Sequence, residues 1–112
     1  MVYLVEYKNL NKVPTKTKIM CLEPREDEKF ESFPPLILSP FVKSLVRQKR
    51  TTQAATELSR LAKSEERKTY LTKLKKTDED VILVSWESIA SPITKLRKDL
   101  LAKWKVPYDT IA

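Results

Sequence analysis

The chain has 112 residues, 41% of them hydrophobic, with 22 basic and 15 acidic residues for a net charge of +7, and it contains neither histidine nor glycine. That length bounds it to one compact domain or two small subdomains, and the apolar fraction sets it apart from disordered chains. Without histidine the commonest general base and zinc ligand is gone; without glycine so are the phosphate loops and dinucleotide fingerprints, whose backbone must approach a phosphate closely.

Residues 2 to 8, "VYLVEYK", alternate weakly and are rich in Val and Tyr, which predicts a strand. "NLNKVP" supplies turn formers, and "KTKIMCL", residues 16 to 22, predicts a second strand. Through and just before that strand, Val13 and Ile19 are expected inside, Lys12, Lys16 and Lys18 outside, with Thr15, Thr17 and Ile19 on one face. Cys21 is expected to be a small buried apolar group, since a single cysteine has no internal disulfide partner. "EPREDEKFES" has mixed charge and no apolar run, so it reads as an exposed loop.

Pro34 and Pro35 exclude a central strand after it. Ser39 followed by Pro40 is an N-cap with proline at the first helical position. Phe41, Val42, Leu45 and Val46 then recur at helical spacing, and Arg47, Lys49 and Arg50 suit the negative end of a helix dipole. A short helix over 40–49 follows. Residues 52 to 76 hold no helix breaker. Ala54, Leu58, Leu61 and Ala62 share one face, whereas Tyr70, Leu71 and Leu74 lie on roughly the opposite one at about 100° per residue. Two helices joined near 63–67, or one long helix with two partners, satisfy this switch of phase.

Thr77 before "DED" is a good helix start, so helix is preferred for "VILVSWESIA", although its β-branched run equally suits a buried strand over 81–86. Ser91-Pro92 repeats the cap-and-proline signal. Ile93, Leu96, Leu100 and Trp104 form the stripe of an amphipathic helix, widened by Leu101 and ended by Pro107, with Lys95, Arg97, Lys98 and Lys103 pointing elsewhere. The fold class expected is α+β: a small N-terminal β subdomain over 1–35 with an exposed charged loop, then a mostly helical domain over 36–112.

No catalytic residues, metal ligands or cofactor-binding residues emerge. The acidic clusters at 26–28 and 78–80 read as a solvated loop and a helix start. Arg47, Lys49 and Arg50 are candidate phosphate contacts, against the alternative of ordinary cations at a helix end. Trp86 and Trp104 are candidate hot spots for a partner, with core packing preferred for Trp104. The partner interface expected comprises Ile93, Leu96, Leu100, Trp104, Tyr70, Leu71 and Leu74. No stretch is apolar over eighteen residues, so no membrane span is expected. The N-terminus does not read as a signal peptide, which gives a cytosolic or nuclear expectation.

"NKVPTKTKIMCLEP", with Lys12, Val13 and Pro14 before a basic, threonine-rich strand, resembles a segment of GINS replication-complex subunits of the class whose β-domain precedes the helical domain. "FPPLILSPFVKSLVRQKR" is similar to the run that opens a helix in that family, and "SPITKLRKDLLAKW" is a looser echo. The family's β-domain usually carries glycines, and this chain has none. The resemblance implies an archaeal form corresponding to eukaryotic subunits two and three. It implies a non-enzymatic scaffold in a hetero-oligomer, paired with a sister GINS subunit and bridging the MCM helicase to a Cdc45- or RecJ-like protein near DNA. The location implied is cytoplasmic and nucleoid-associated if archaeal, nuclear if eukaryotic. The charge and the helix-turn-helix flavour of "TTQAATELSRLAKS" support the alternative, a small nucleic-acid-binding protein acting in transcription or at the ribosome.

Overall fold

Among the described residues five short strands make one sheet, and every pairing between them is parallel. The structure is a computed structural model that describes residues 1–13, 18–25 and 30–111. The strands are β1 (Val2–Glu6), β2 (Lys18–Cys21), β3 (Glu31–Ser32), β4 (Val81–Ser85) and β5 (Tyr108–Ile111), in the order β3-β2-β4-β1-β5. Between β3 and β4 come α1 (Pro40–Arg47), α2 (Thr51–Leu61) and α3 (Glu65–Lys76); α4 (Pro92–Lys103) lies between β4 and β5. Helices and a parallel sheet together are the mixed class expected. The sheet, however, takes strands from both sides of residue 35, with β1 held between β4 and β5.

Local chemistry sets the starts of α1, α3 and α4, two of them at the caps the sequence implies. The hydroxyls of Ser39, Ser64 and Ser91 accept from the amides of Val42, Arg67 and Thr94, and Pro40 and Pro92 follow two of these caps. The phase switch of residues 52–76 is two helices, broken at 62–64. Tyr70 and Leu71 pack half-buried on the same core that Ala54 and Leu58 fill from the other helix.

Residues 81–85 are a strand, not the preferred helix. Thr77 Oγ1 does accept a backbone bond, from Glu79 at 3.2 Å, but it forms a local turn and no helix follows. The run Val81–Ser85 is buried at every position between β1 and β2, the continuous apolar pattern of a parallel strand covered on both faces. β5, not anticipated, forms after Pro107 and pairs with β1.

The strands alternate cleanly. Val2, Leu4, Met20, Val81 and Leu83 face a core built with all four α-helices. Val5, Cys21, Ile82 and Val84 face the other side, where Leu10, Val13, Phe30 and Trp86 pack. Cys21 and Val13 are buried as expected, while Ile19 is half-buried; Thr15, Lys16 and Thr17 lie outside the described residues. Pairing with β3 on one side and β4 on the other makes β2 an inner strand over Met20 and Cys21. In α1, Val42, Leu45 and Val46 are buried, but Phe41 is 62% exposed.

Leaving β1, the chain passes β4 to reach β2; leaving β4, it passes β1 to reach β5. The first connection includes the 3₁₀ helix Tyr7–Lys12 and packs Leu10 on one face. The second runs through α4 on the opposite face. Adjacent strands β1 and β4 thus send their connections in opposite directions. Their carboxyl ends form a topological switch point, the place where open α/β sheets bind ligands.

Candidate functional site

Three strand ends meet at this switch point. Glu6 and Ser85 are the last residues in register between β1 and β4, so Tyr7 and Trp86 are the next step of the ladder. Their rings stack, centroids 4.7 Å apart and 16° from parallel. Arg25, from the segment after β2, lays its guanidinium carbon 4.7 Å from the Trp86 ring centroid. Arg25 is exposed, Trp86 is half-buried, and Tyr7 is 36% exposed. An aromatic pair with a cation over it presents planar π surface at the rim.

Beneath the stack lies a buried ion pair. Arg97 reaches from α4 and is 1% exposed, a correction to its expected place on the polar side of that helix. Its Nη1 is 2.7 Å from Glu23 Oε2 and donates to Ser85 Oγ at 3.0 Å. Its Nε donates to the Leu36 carbonyl at 3.0 Å and Nη2 to the Leu22 carbonyl at 3.2 Å. Burial pulls this guanidinium below the usual arginine range, and the Glu23 carboxylate pushes it back up by charge and hydrogen bond.

Glu23 also holds the loop after β4. Its Oε1 accepts from the amides of Trp86 at 2.7 Å and Glu87 at 3.2 Å, and Ser85 Oγ donates to the same carboxylate at 2.9 Å. Glu6 Oε1 accepts from the Ile89 amide at 3.2 Å. In a phosphate-binding α/β fold, backbone amides at this edge point at the ligand's anion. Here internal carboxylates take that position. The arrangement holds a stacking surface rigidly and leaves those amides already satisfied.

The residues singled out by sequence fall elsewhere. Leu96 and Leu100 are 3% and 1% exposed, with Ile93 and Trp104 half-buried against the same core. The stripe is therefore closed within the chain, partly by α2, and Leu96 and Leu100 are not free to meet a partner. Leu74 is buried and Leu71 half-buried. Tyr70 and Leu74 do line a groove of about 1070 Å³ between α3 and the amino ends of the strands, floored by Met20, Phe33 and Val81. Tyr70 meets Phe33 edge-on at 6.2 Å there. Lysines and glutamates both line the groove, among them Lys18, Lys73, Glu65 and Glu79.

Arg47, Lys49 and Arg50 are all exposed at the turn from α1 to α2. The turn is a Schellman motif: Arg50 N–H donates to the Leu45 carbonyl at 2.8 Å and Lys49 N–H to that of Val46 at 3.0 Å. Lys49 takes the left-handed position, φ 62°, where glycine is usual. Residues 36–107 hold sixteen of the 22 basic residues and eight of the 15 acidic ones. The net positive charge thus belongs to the stretch that builds the helical layer. Among the described residues, no helix is long and apolar enough to cross a membrane. No protein-family model matches the chain, and no curated protein and no solved structure matches it either.

Proposed function

We propose that the protein is a non-enzymatic nucleic-acid-binding module. The observation that carries this reading is the charge distribution. The stretch over 36–107 has twice as many basic as acidic residues, and Arg47, Lys49 and Arg50 are exposed together at one turn within it. Cations gathered on one layer attract phosphate backbones and release their counterions. Fluorescence anisotropy with labelled oligonucleotides over a salt series tests it. If three to five phosphates are neutralised, log K falls against log salt with a slope of roughly −2 to −4. Neutralising Arg47, Lys49 and Arg50 together flattens that slope by roughly 2. No binding at low salt overturns the reading.

A second reading has one observation in its favour. Tyr70 and Leu74, expected at a partner interface, both line the groove under α3, and an apolar floor with a charged rim is the anatomy of a protein contact. On this reading the chain is a GINS-like assembly subunit of a replisome, bound to a sister GINS subunit and bridging the MCM helicase and a Cdc45- or RecJ-like protein. Co-purification of those proteins from native cells supports it; recovery with ribosomes or transcription complexes instead removes it.

A further inference from the structure

We propose that the Tyr7–Trp86–Arg25 stack is a subsite for an unpaired nucleobase, which makes the protein selective for single strands. This rests on the nucleic-acid reading above, but on separate observations.

The first is position. Tyr7 and Trp86 follow directly on the neighbouring strands β1 and β4, whose connections leave on opposite faces, and Arg25 joins them from beyond β2. This is the crevice at which open α/β sheets hold ligands. The second is the form of the surface. The indole already carries a phenol ring at 4.7 Å and a guanidinium plane at 4.7 Å. A guanidinium over an indole occupies the place a base would take, and Arg25, being exposed, can move aside and stack on the base in turn. The third is what the site withholds. Glu23 fills the amides of Trp86 and Glu87, and Glu6 that of Ile89, so these three amides offer no phosphate cradle there. A ligand is then recognised by its flat π face, with phosphate charge met by the exposed Arg25 side chain. A base inside a duplex has both faces stacked and cannot enter. An unpaired base can.

The test compares the full chain with Tyr7→Ala and Arg25→Gln on a mixed-sequence oligonucleotide of about twelve nucleotides. The strand is offered as single-stranded DNA, single-stranded RNA and duplex DNA. Anisotropy reports affinity and intrinsic tryptophan fluorescence reports stacking, with Trp104→Phe isolating the Trp86 signal. The expected result is tighter binding of single strands than of duplex, with quenching of Trp86. Tyr7→Ala should weaken single-strand binding about 5- to 100-fold while leaving duplex binding unchanged, as the loss of a stacked base does. Arg25→Gln, at an exposed position, leaves the fold intact and should weaken single-strand binding several-fold. Preference for the RNA or the DNA strand identifies the natural source of the base. If single strand and duplex bind alike and neither variant nor fluorescence responds, the base subsite falls and the basic surface stands. If nothing binds at low salt, both fall.

Discussion

Replacing Arg97 by methionine probes what holds the carboxyl edge of the sheet. Methionine keeps much of the aliphatic stem, so the perturbation is mainly polar. Four contacts vanish: the ion pair to Glu23 at 2.7 Å, the bond to Ser85 at 3.0 Å and the bonds to the carbonyls of Leu36 and Leu22 at 3.0 and 3.2 Å. Each buried carbonyl left without a donor costs about 1–3 kcal/mol. Glu23 is 16% exposed, so its carboxylate keeps some solvent as well as its amide donors. Breaking a buried pair from one side typically costs about 3–5 kcal/mol, and that is the cost expected here. For a chain of this size, with an m-value of roughly 1.5 kcal/mol/M, the urea midpoint falls by about 2–3 M. Unfolding followed by tryptophan fluorescence and circular dichroism measures it. Glu23→Gln alone should cost about 1–3 kcal/mol, since the amide oxygen still accepts from Trp86 while the cation loses its counter-charge. The double variant should be less damaging than the two single costs added, by at least about 1 kcal/mol. A cost under about 1 kcal/mol for Arg97→Met, or strict additivity, refutes the claim that this pair locks β2, β4 and α4 together.

Lys49 and Lys105 hold φ values of 62° and 59° at the ends of α1 and α4. Left-handed backbone costs an ordinary residue roughly 1–2 kcal/mol, and glycine's extra chain entropy offsets about half of that. Lys49→Gly and Lys105→Gly should therefore each stabilise by about 0.5–1 kcal/mol and raise Tm by about 2–6 °C in thermal melts, and on the proposed nucleic-acid reading only Lys49→Gly should weaken oligonucleotide binding. Leu100→Ala should destabilise by about 2–5 kcal/mol, whereas Lys98→Ala should stay within about 0.5 kcal/mol in the same melts. The side-chain hydrogen bond from Arg60 holds the Glu57 carboxyl below the usual carboxylate range. Its contribution is therefore complete above the unfolded pKa and lost as pH falls through the folded one; carboxyl NMR titration should show the low value in the parent chain and the ordinary one in Arg60→Ala.

The helix ends were the most legible part of the sequence, because they depend on neighbours within four residues. Ser39-Pro40 and Ser91-Pro92 start helices, and Ser64 caps a third. The sheet was harder. Parallel strands take their partners from far along the chain, so β4 carries no alternation to mark it. Its four apolar positions and Ser85 are all buried, with β1 and β2 paired on either side, and the local turn at Thr77 mimics a helix cap. Tyr108–Ile111 is too short for periodicity and gains its place by pairing with β1.

Arg97 was legible in principle. At about 100° per residue it lies about 40° round from Ile93, inside the arc bounded by Leu96 and Leu101. A charge within an apolar arc is a buried charge in search of a counter-ion, although nothing local names Glu23, which lies just after β2, far back in the sequence. The Tyr7–Trp86 stack is a register effect. It follows once β1 and β4 are paired in parallel with Glu6 beside Ser85, and no single-strand pattern contains it.

The absence of glycine ties these features together. A glycine-free loop at a strand end brings its backbone against a phosphate less readily, yet its amides still need acceptors. In this chain Glu23 and Glu6 supply them. Arg97 in turn neutralises Glu23 from below. The carboxyl edge therefore closes on itself electrostatically and exposes planes rather than amides. On the nucleic-acid reading proposed above, phosphate contact falls to side chains on the helical layer, where Arg47, Lys49 and Arg50 stand in solvent. Opening the edge by Glu23→Gln should not create an anion site at Trp86, because the glutamine oxygen still accepts from the Trp86 amide. An inorganic phosphate titration followed by amide chemical shifts at Trp86 and Glu87 checks this. Saturable shifts there would mean that the loop, and not the glutamate, is built for an anion, and would reverse the division of labour argued between edge and helices.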